Sequence, residues 1–243
     1  MADPFLTARW ESLVLLNFEC PREVLEPLVP EGTELDTWRD VDLVSLVGFR
    51  FVDTRLRGVG VPCHRTFEEV NLRFYVRRRH TDGSLRRAVV FIKELVPRRA
   101  IAVVARLIYN EPYSRVAMEH EVSLDKDSGG SAAYSWVHRG LEYGLRARVT
   151  GPAAPPVPGS EAEFITEHFW GYTKQRGGGT SEYRVDHPSW LVWDAAASSY
   201  ESPPTETLFG PRLSEVLRAE PTSTFIAVGS EVSVFSAVTV GAV

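Results

Sequence analysis

Lysine, cysteine and long apolar runs are scarce in this chain, and each scarcity excludes a class of protein. Only three lysines, Lys93, Lys126 and Lys174, stand against twenty-four arginines, which leaves few amines for covalent chemistry. The two cysteines, Cys20 and Cys63, are far apart without metal-ligand spacing, so we interpret both as ordinary thiols. The N-terminus does not resemble a leader and no eighteen-residue apolar run occurs, which predicts a reduced, cytoplasmic protein without membrane contact.

The familiar signatures of catalysis and cofactor binding are also missing. The chain contains no glycine-rich phosphate loop, no Gly-x-Ser-x-Gly elbow, no His-Glu-x-x-His helix and no Cys-x-x-Cys pair. Its six histidines have scattered spacing, so a metal site would require convergence in the folded chain, and we predict neither metal nor cofactor. Acidic residues exceed basic ones by 32 to 27, and the basic residues are spread out, so nothing supports nucleic-acid binding.

What the chain does contain predicts a mainly β fold with a few short helices. With 44% apolar and 24% charged residues, it can bury a sizeable core. Strands are predicted at 9–18, 41–52, 67–78, 88–96, 114–124, 132–137, 141–149 and 190–197, short helices at 21–28, 97–110, 161–166 and 211–218, and hairpins over 34–53, 67–96 and 223–240. The elements after the proline-rich loop 151–159 are too fragmentary for a second core, which predicts one domain over 1–243.

The segment Phe67–Val76 alternates polar and apolar side chains with the two-residue period of a strand. One face carries Glu69, Asn71, Arg73 and Tyr75, and the other face is apolar. A solvent-facing sheet gives this pattern in most proteins, but in a strongly curved sheet the polar face can line an interior cavity. We predict the second arrangement, and the ligand interpretations below depend on it.

Several runs of residues resemble the YqjF-like family of uncharacterised proteins, which is placed in the acetoacetate decarboxylase-like superfamily. The runs are FEEVNLRFYV at 67–76, VVFIKEL at 89–95, ARLIYNEPY at 105–113, the opening ARWESLVLLNFECPREVLEPLVPEGTELD, EHFWGYT and HPSW. The likeness extends from Phe5 to about Trp190 and is more specific in the first half of the chain. It implies a single antiparallel β barrel or cone with a central pocket.

The resemblance also implies positions for pocket residues. In the decarboxylases, an arginine near the first strand and a glutamate on a mid-chain strand lie beside the lysine that forms a Schiff base. Arg9 and Glu69 match these two, with Glu68 as a one-residue alternative. The decarboxylase lysine pair is replaced here by Tyr113 and Ser114, which cannot form an iminium. We therefore do not expect Schiff-base decarboxylation.

Lys93 is a candidate to replace the missing Schiff-base lysine. It lies in a predicted strand with apolar neighbours beside the strand of Glu69. If its side chain is buried in the pocket, desolvation lowers the pKa of the amine and makes it more nucleophilic. The alternative is an ordinary lysine paired with Glu69 or Glu94 at a sheet face.

A larger polar set is available to converge on a small ligand. The candidate catalytic residues are Glu69, Lys93 and Tyr113, and the candidate ligand-binding residues are Arg9, Glu68, Asn71, Arg73, Tyr75, Arg106, Tyr109, Glu111, His187 and Trp190. Arginine suits the binding of a carboxylate, although the same polar residues can instead form a structural network. His187 and Trp190 either close the mouth of the pocket or simply pack a loop.

Three functions stay open from the sequence alone. The first is an enzyme acting on a keto or hydroxy compound, with acid and base chemistry from Glu69 and a neighbouring tyrosine or arginine. The second is a non-catalytic ligand-binding or sensor domain with the same small-molecule pocket. The third is an interaction module, in which the strands at 41–51 and 232–240 provide sheet edges for a homodimer.

Overall fold

The computed structural model describes residues 3–60, 65–80, 82–97, 113–175, 177–204 and 208–240. Its strands are β1 (Leu6–Glu19), β2 (Glu34–Leu35), β3 (Leu43–Leu56), β4 (Val59–Gly60), β5 (Phe67–Arg79), β6 (Leu85–Val96), β7 (Tyr113–Arg115), β8 (Ala117–Asp125), β9 (Gly129–His138), β10 (Leu141–Thr150), β11 (Trp170–Lys174), β12 (Thr180–Asp186), β13 (Val192–Asp194), β14 (Ala197–Glu201), β15 (Ser223–Val234) and β16 (Val238–Val240). The helices are α1 (Arg22–Leu25), α2 (Glu161–Thr166) and α3 (Pro211–Val216), and a 3-10 turn at Glu26–Leu28 follows α1.

Twelve of these strands form one strongly curved sheet in the order β13-β15-β1-β3-β5-β6-β11-β12-β16, with β2, β4 and β7 attached beside β5, β3 and β6. Most neighbours are antiparallel, whereas β6 pairs in parallel with β7 and β11. The strand β12 also pairs with β15 through Val185 and Val234, so the sheet curls back towards its first strands. This cone-like sheet with a few short helices confirms the predicted fold class.

A second sheet, in the order β14-β10-β9-β8, packs against the outer face of the first. The interface is apolar and aromatic, with Trp136 and Tyr134 buried against residues such as Leu72 of β5. A glycine permits the close approach, because a Cβ at Gly48 in β3 would lie 2.8 Å from Cδ2 of Tyr134. The inner face of the curved sheet therefore stays available for a separate purpose.

Two of the three predicted hairpins are wrong. The strand β2 pairs with β5 rather than β3, since the chain turns tightly through a Trp38–Val41 bridge before β3 begins. The predicted turn at 229–230 lies inside the continuous strand β15, where Gly229 has a φ of +87° and approaches the carbonyl of Trp10 too closely for any side chain. The hairpin of β5 and β6 around residues 80–84 is confirmed.

The stretch 41–51 is not a free sheet edge, because the strand β3 lies between β1 and β5. This removes one basis for the interaction module.

The predicted helix at 97–110 falls almost wholly outside the described residues. Within those residues no helix has the length and apolar character needed to cross a membrane. The expectation of one domain stays a prediction.

Candidate functional site

A cavity of about 150 Å³ lies inside the curved sheet. Most of its wall is apolar, with a large share of aromatic rings from Trp10, Phe49, Phe51, Phe67, Phe91, Trp170 and Trp190. The polar residues of the wall are Thr54, Glu69, Asn71, Arg73, Glu94, Tyr113, Thr166, His168, Tyr183 and His187. A few polar groups in a mainly apolar, concave wall are typical of small-molecule sites.

The alternation of β5 places three of the polar residues in this wall. Glu69 and Asn71 are 2% exposed and Arg73 is 8% exposed, and all three line the cavity. Their neighbours Val70 and Leu72 point the other way into the core shared with the second sheet. The polar face of the strand thus lines the cavity and is shielded from water, as we predicted.

Glu69 is the best-defined acid or base of the cavity. Its Oε1 accepts a hydrogen bond from Nδ2 of Asn71 at 3.1 Å, and its Oε2 accepts one from the Tyr113 hydroxyl at 3.3 Å. Burial raises the pKa of Glu69 to about 7, although the bonds from Asn71 and Tyr113 and the charge of Arg73 act in the opposite direction. A carboxyl group with this pKa can donate or accept a proton near neutral pH.

Arg73 is a buried cation that forms no close ion pair in the described part of the chain, although its charge acts on Glu69. Its Nη2 donates to the carbonyl of Ile165 at 3.3 Å, and its Nε has no partner among the described residues. No carboxylate oxygen of those residues lies within 4.0 Å of the guanidinium. Since a buried charge without a close partner is costly, this arrangement is suited to bind an anionic group.

His168, just after α2, lines the same cavity and is neutral. Its Nε2 lies 3.5 Å from Oδ2 of Asp36, which accepts a hydrogen bond from Nε of Arg87 at 2.7 Å. Burial lowers the pKa of His168 to about 4 and outweighs the opposing effect of Asp36. Burial would raise the pKa of Asp36, but its contacts with His168 and Arg87 leave that pKa below its ordinary value, so this group is a carboxylate.

The second histidine of the cavity belongs to an aromatic cluster. The rings of His187 and Trp190 stack with centroids 4.2 Å apart, and Trp10 packs on Trp190 at 6.1 Å. Nδ1 of His187 donates to the carbonyl of Pro188 at 2.9 Å, and burial lowers the pKa of this imidazole. Both residues that we selected from the HPSW run therefore line the cavity.

Three other candidates lie outside the cavity wall. The Tyr75 hydroxyl is 2.5 Å from Oγ of Ser45 in a buried network, so the ring supports the site from behind. Glu68 points to the opposite face, where its carboxylate is 2.7 Å from Nδ1 of His120. Arg9 is half exposed and contacts Glu11 beside a separate surface groove.

Lys93 also lies outside the cavity wall, and a β-bulge is the reason. Arg73 pairs with Phe91 but Leu72 pairs with Lys93, so β6 contains one extra residue, Ile92. Beyond the bulge the alternation changes phase, which turns Lys93 to the outer face with Leu72 and brings Glu94 into the cavity. The hypothesis that Lys93 is the buried nucleophile is therefore wrong.

Several residues of the cavity wall were not predicted from the sequence. Glu94, Thr166, His168 and Tyr183 line the cavity but were not selected, because the segments that contain them lack the clear alternation of β5. Arg106, Tyr109 and Glu111 lie outside the described residues. Among the residues that are described, no group of three or more His, Cys, Asp or Glu side chains could hold a metal ion. Cys20 is buried, and burial raises the pKa of its thiol to about 12.

Solved structures with the same architecture identify the fold. An acetoacetate decarboxylase from Legionella pneumophila matches with a TM-score of 0.68 at 14% identity, over 99% of this chain and 88% of that one. The enduracididine biosynthesis enzyme MppR, complexed with pyruvate, matches with a TM-score of 0.67 at 9% identity, over 100% and 93%. An acetoacetate decarboxylase-like enzyme from Sphingomonas wittichii RW1 matches at 0.65. The chain therefore has the acetoacetate decarboxylase-like fold.

The family within this class is defined by the sequence. The family model DUF2071, described as "Uncharacterized conserved protein", matches residues 7–229, so the chain belongs to that family. The protein YqjF of Bacillus subtilis (strain 168) is 26% identical over 196 residues, which cover 77% of this chain and 75% of YqjF. Both findings confirm the resemblance to the YqjF-like family.

Proposed function

We propose that the cavity binds a small carboxylic acid through Arg73, and that Glu69 catalyses proton transfer on a keto or hydroxy group of this ligand. The observation that carries the proposal is the buried guanidinium of Arg73, which has no carboxylate partner among the described residues and lines the same cavity as Glu69. An anionic ligand pairs closely with this cation and gains a charge-assisted hydrogen bond in a low-dielectric site.

Glu69 supports a catalytic role because its pKa is raised into the neutral range. As a carboxylate it can remove a proton from a carbon beside a keto group, so that the C–H electrons form the enolate double bond. In a ligand with a hydroxyl group on the carbon next to the enolate, the protonated Glu69 can return the proton to that hydroxyl group, so that the enolate electrons form a C=C bond, the C–O bond breaks and water leaves. The hydrogen bonds from Asn71 and Tyr113 hold the carboxyl group in place for either step.

A Schiff base is not part of the proposed chemistry, since an iminium requires an amine in the cavity. All three lysines of the chain lie within the described residues, and none belongs to the cavity wall. Lys93 is on the outer face, and Nζ of Lys174 donates to the carbonyl of Pro27 at 2.6 Å. The complex of MppR with pyruvate supports the ligand class, because pyruvate is a small keto acid that binds to the same fold.

Binding is tested by isothermal titration calorimetry with a panel of two- to six-carbon keto and hydroxy acids and their methyl esters. We expect the acids to bind and the esters to bind at least about tenfold more weakly, since the esters lack the charge. Arg73→Gln should abolish the difference, whereas Arg79→Gln, at an exposed position of the same strand, should preserve it. Equal binding of acids and esters to the wild-type protein would contradict the proposal.

Catalysis is tested by NMR in deuterated buffer with the same panel. We expect deuterium incorporation beside a keto group or loss of a hydroxyl group, with a rate that Glu69→Gln lowers about a hundredfold or more.

The alternative function is a non-catalytic binding or sensor domain. It is favoured by the observation that both oxygens of Glu69 already accept hydrogen bonds. Tight binding without exchange or turnover would select this alternative.

A further inference from the structure

The two histidines of the cavity wall are neutral, and their neighbours determine which nitrogen carries the proton. Nδ1 of His187 faces the carbonyl of Pro188, which only accepts, so Nδ1 is protonated and Nε2 is an acceptor. Nε2 of His168 lies 3.5 Å from the carboxylate of Asp36, beyond a well-formed hydrogen bond, and this contact favours the tautomer with the proton on Nε2 and the lone pair on Nδ1. Both imidazoles thus offer a lone pair, and neither has a second N–H group for a ligand.

The acceptor of His168 has no donor among the described residues, although the side chain is only 2% exposed. Oδ1 of Asn71, in the same cavity wall, also lacks a donor in that part of the chain. Buried acceptors without donors are rare in folded proteins. Two of them around one cavity indicate a ligand that brings its own hydrogen-bond donors.

His168 and Arg73 both line the cavity, and both contact the ring of Tyr75. The imidazole centroid lies 4.7 Å from the centroid of that ring, and Cζ of Arg73 lies 5.8 Å from it. A hydrogen bond also joins Arg73 to the segment that contains His168, since Arg73 donates to the carbonyl of Ile165, three residues before His168. The charge of Arg73 also lowers the pKa of His168, so this cation and the neutral acceptor are close enough to interact in the wall of one cavity.

We propose that the cavity selects a hydroxy acid over the keto acid of the same carbon skeleton, with Arg73 binding the carboxylate and Nδ1 of His168 accepting a hydrogen bond from the neighbouring hydroxyl group. The inference rests on the proposed function and names its ligand class. A hydroxyl group can donate to this lone pair, whereas a keto oxygen offers only lone pairs of its own. The keto acid would thus leave the acceptor unsatisfied and add a repulsion.

The experiment compares pairs of probes that differ only in oxidation level. One pair is 2-hydroxy-3-methylbutanoate, as each enantiomer, and 3-methyl-2-oxobutanoate, and the second pair is 3-hydroxybutanoate and acetoacetate. Dissociation constants are measured by calorimetry for the wild-type protein, His168→Phe and His168→Asn. Phenylalanine preserves the ring but removes the acceptor, whereas the side-chain oxygen of asparagine can replace Nδ1.

We expect the wild-type protein to bind at least one hydroxy acid about tenfold or more tightly than its keto partner. In His168→Phe the ratio should fall close to one, and in His168→Asn most of it should persist. The control His120→Phe, on the outer face beside Glu68, should leave the ratio unchanged. Equal or tighter binding of the keto acids by the wild-type protein, or an unchanged ratio in His168→Phe, would overturn the inference.

Failure of the inference is distinguishable from failure of the proposed function. If carboxylates bind through Arg73 but without preference for hydroxy acids, only the inference is lost. If no probe binds, or if Arg73→Gln binds the probes as the wild type does, both are lost. Should His168→Phe not fold, the ¹⁵N spectrum of the wild-type imidazoles decides, because a protonated Nδ1 on His168 would refute the proposed acceptor.

Discussion

The two faces of the twelve-stranded sheet are built from the same strands but satisfy different demands. The outer face meets the second sheet in an apolar interface, in which Trp136 stacks on Tyr143 with ring centroids 5.6 Å apart. The inner face encloses a cavity and retains polar atoms without partners among the described residues, on Asn71, Arg73 and His168. The outer face stabilises the fold, whereas the inner face keeps unsatisfied groups that are explained by a ligand.

Trp136→Ala should have the largest effect on stability, because it opens a cavity in the outer interface. We expect the free energy of unfolding to fall by about 3–5 kcal/mol, with little change in the affinity of the folded protein for carboxylate probes. Urea unfolding and calorimetry measure the two quantities. Val137→Ala, at a 41% exposed position of the same strand, is the matched control and should cost little. A weak effect on stability with lost binding would contradict the division between the faces.

Glu69→Gln should change the pH dependence of stability on the inner face. The pKa of Glu69 is about 7 in the folded protein and near 4.5 when unfolded, so the wild type loses stability as the pH rises through this window. We expect the variant to gain about 2–4 kcal/mol relative to the wild type between pH 4.5 and 7. Denaturant unfolding across that range provides the measurement. A difference that is independent of pH would show that Glu69 is not desolvated.

His168→Phe should also change the dependence of stability on pH, but in the opposite direction to Glu69→Gln. Because the pKa of His168 is lowered to about 4, the unfolded chain binds this proton first, and the wild type loses stability as the pH falls from 6.5 to 4. The variant should therefore gain stability relative to the wild type towards acid pH, by about 2–4 kcal/mol. The same unfolding series detects it. A gain towards alkaline pH would instead indicate a charged imidazole.

Lys93→Met should have the smallest effect, since the side chain is on the outer face and only partly buried. We expect unchanged affinity for carboxylates and a change in unfolding free energy below about 1 kcal/mol. Borohydride treatment with a keto acid, followed by mass spectrometry, should yield no adduct in either protein. An adduct in the wild type that disappears in Lys93→Met would place this lysine in the cavity after all.

The regular alternation of β5 and the irregular alternation of β6 explain which residues of the candidate site could be predicted from the sequence. The period of two in Phe67–Val76 was sufficient to predict the shared face of Glu69, Asn71 and Arg73. The same reasoning failed for Lys93, because a bulge at Ile92 depends on the pairing with β5 and leaves no mark in the periodicity of β6 itself. His168 was missed for a related reason, since its partner Asp36 is distant in the chain and meets it only in the folded state.

By itself, the sequence determined the mainly β character, the polar face of β5, the scarcity of amines and the family to which the chain belongs. These properties are local or compositional, so they can be read without knowing which strands meet. Only the tertiary structure decided that the polar face lines a cavity, that Glu94 and not Lys93 points inward, and that Arg73 and His168 belong to the wall of the same cavity. Burial, unmatched charge and raised or lowered pKa values arise from the folded surroundings of a group, which no short segment of the chain contains.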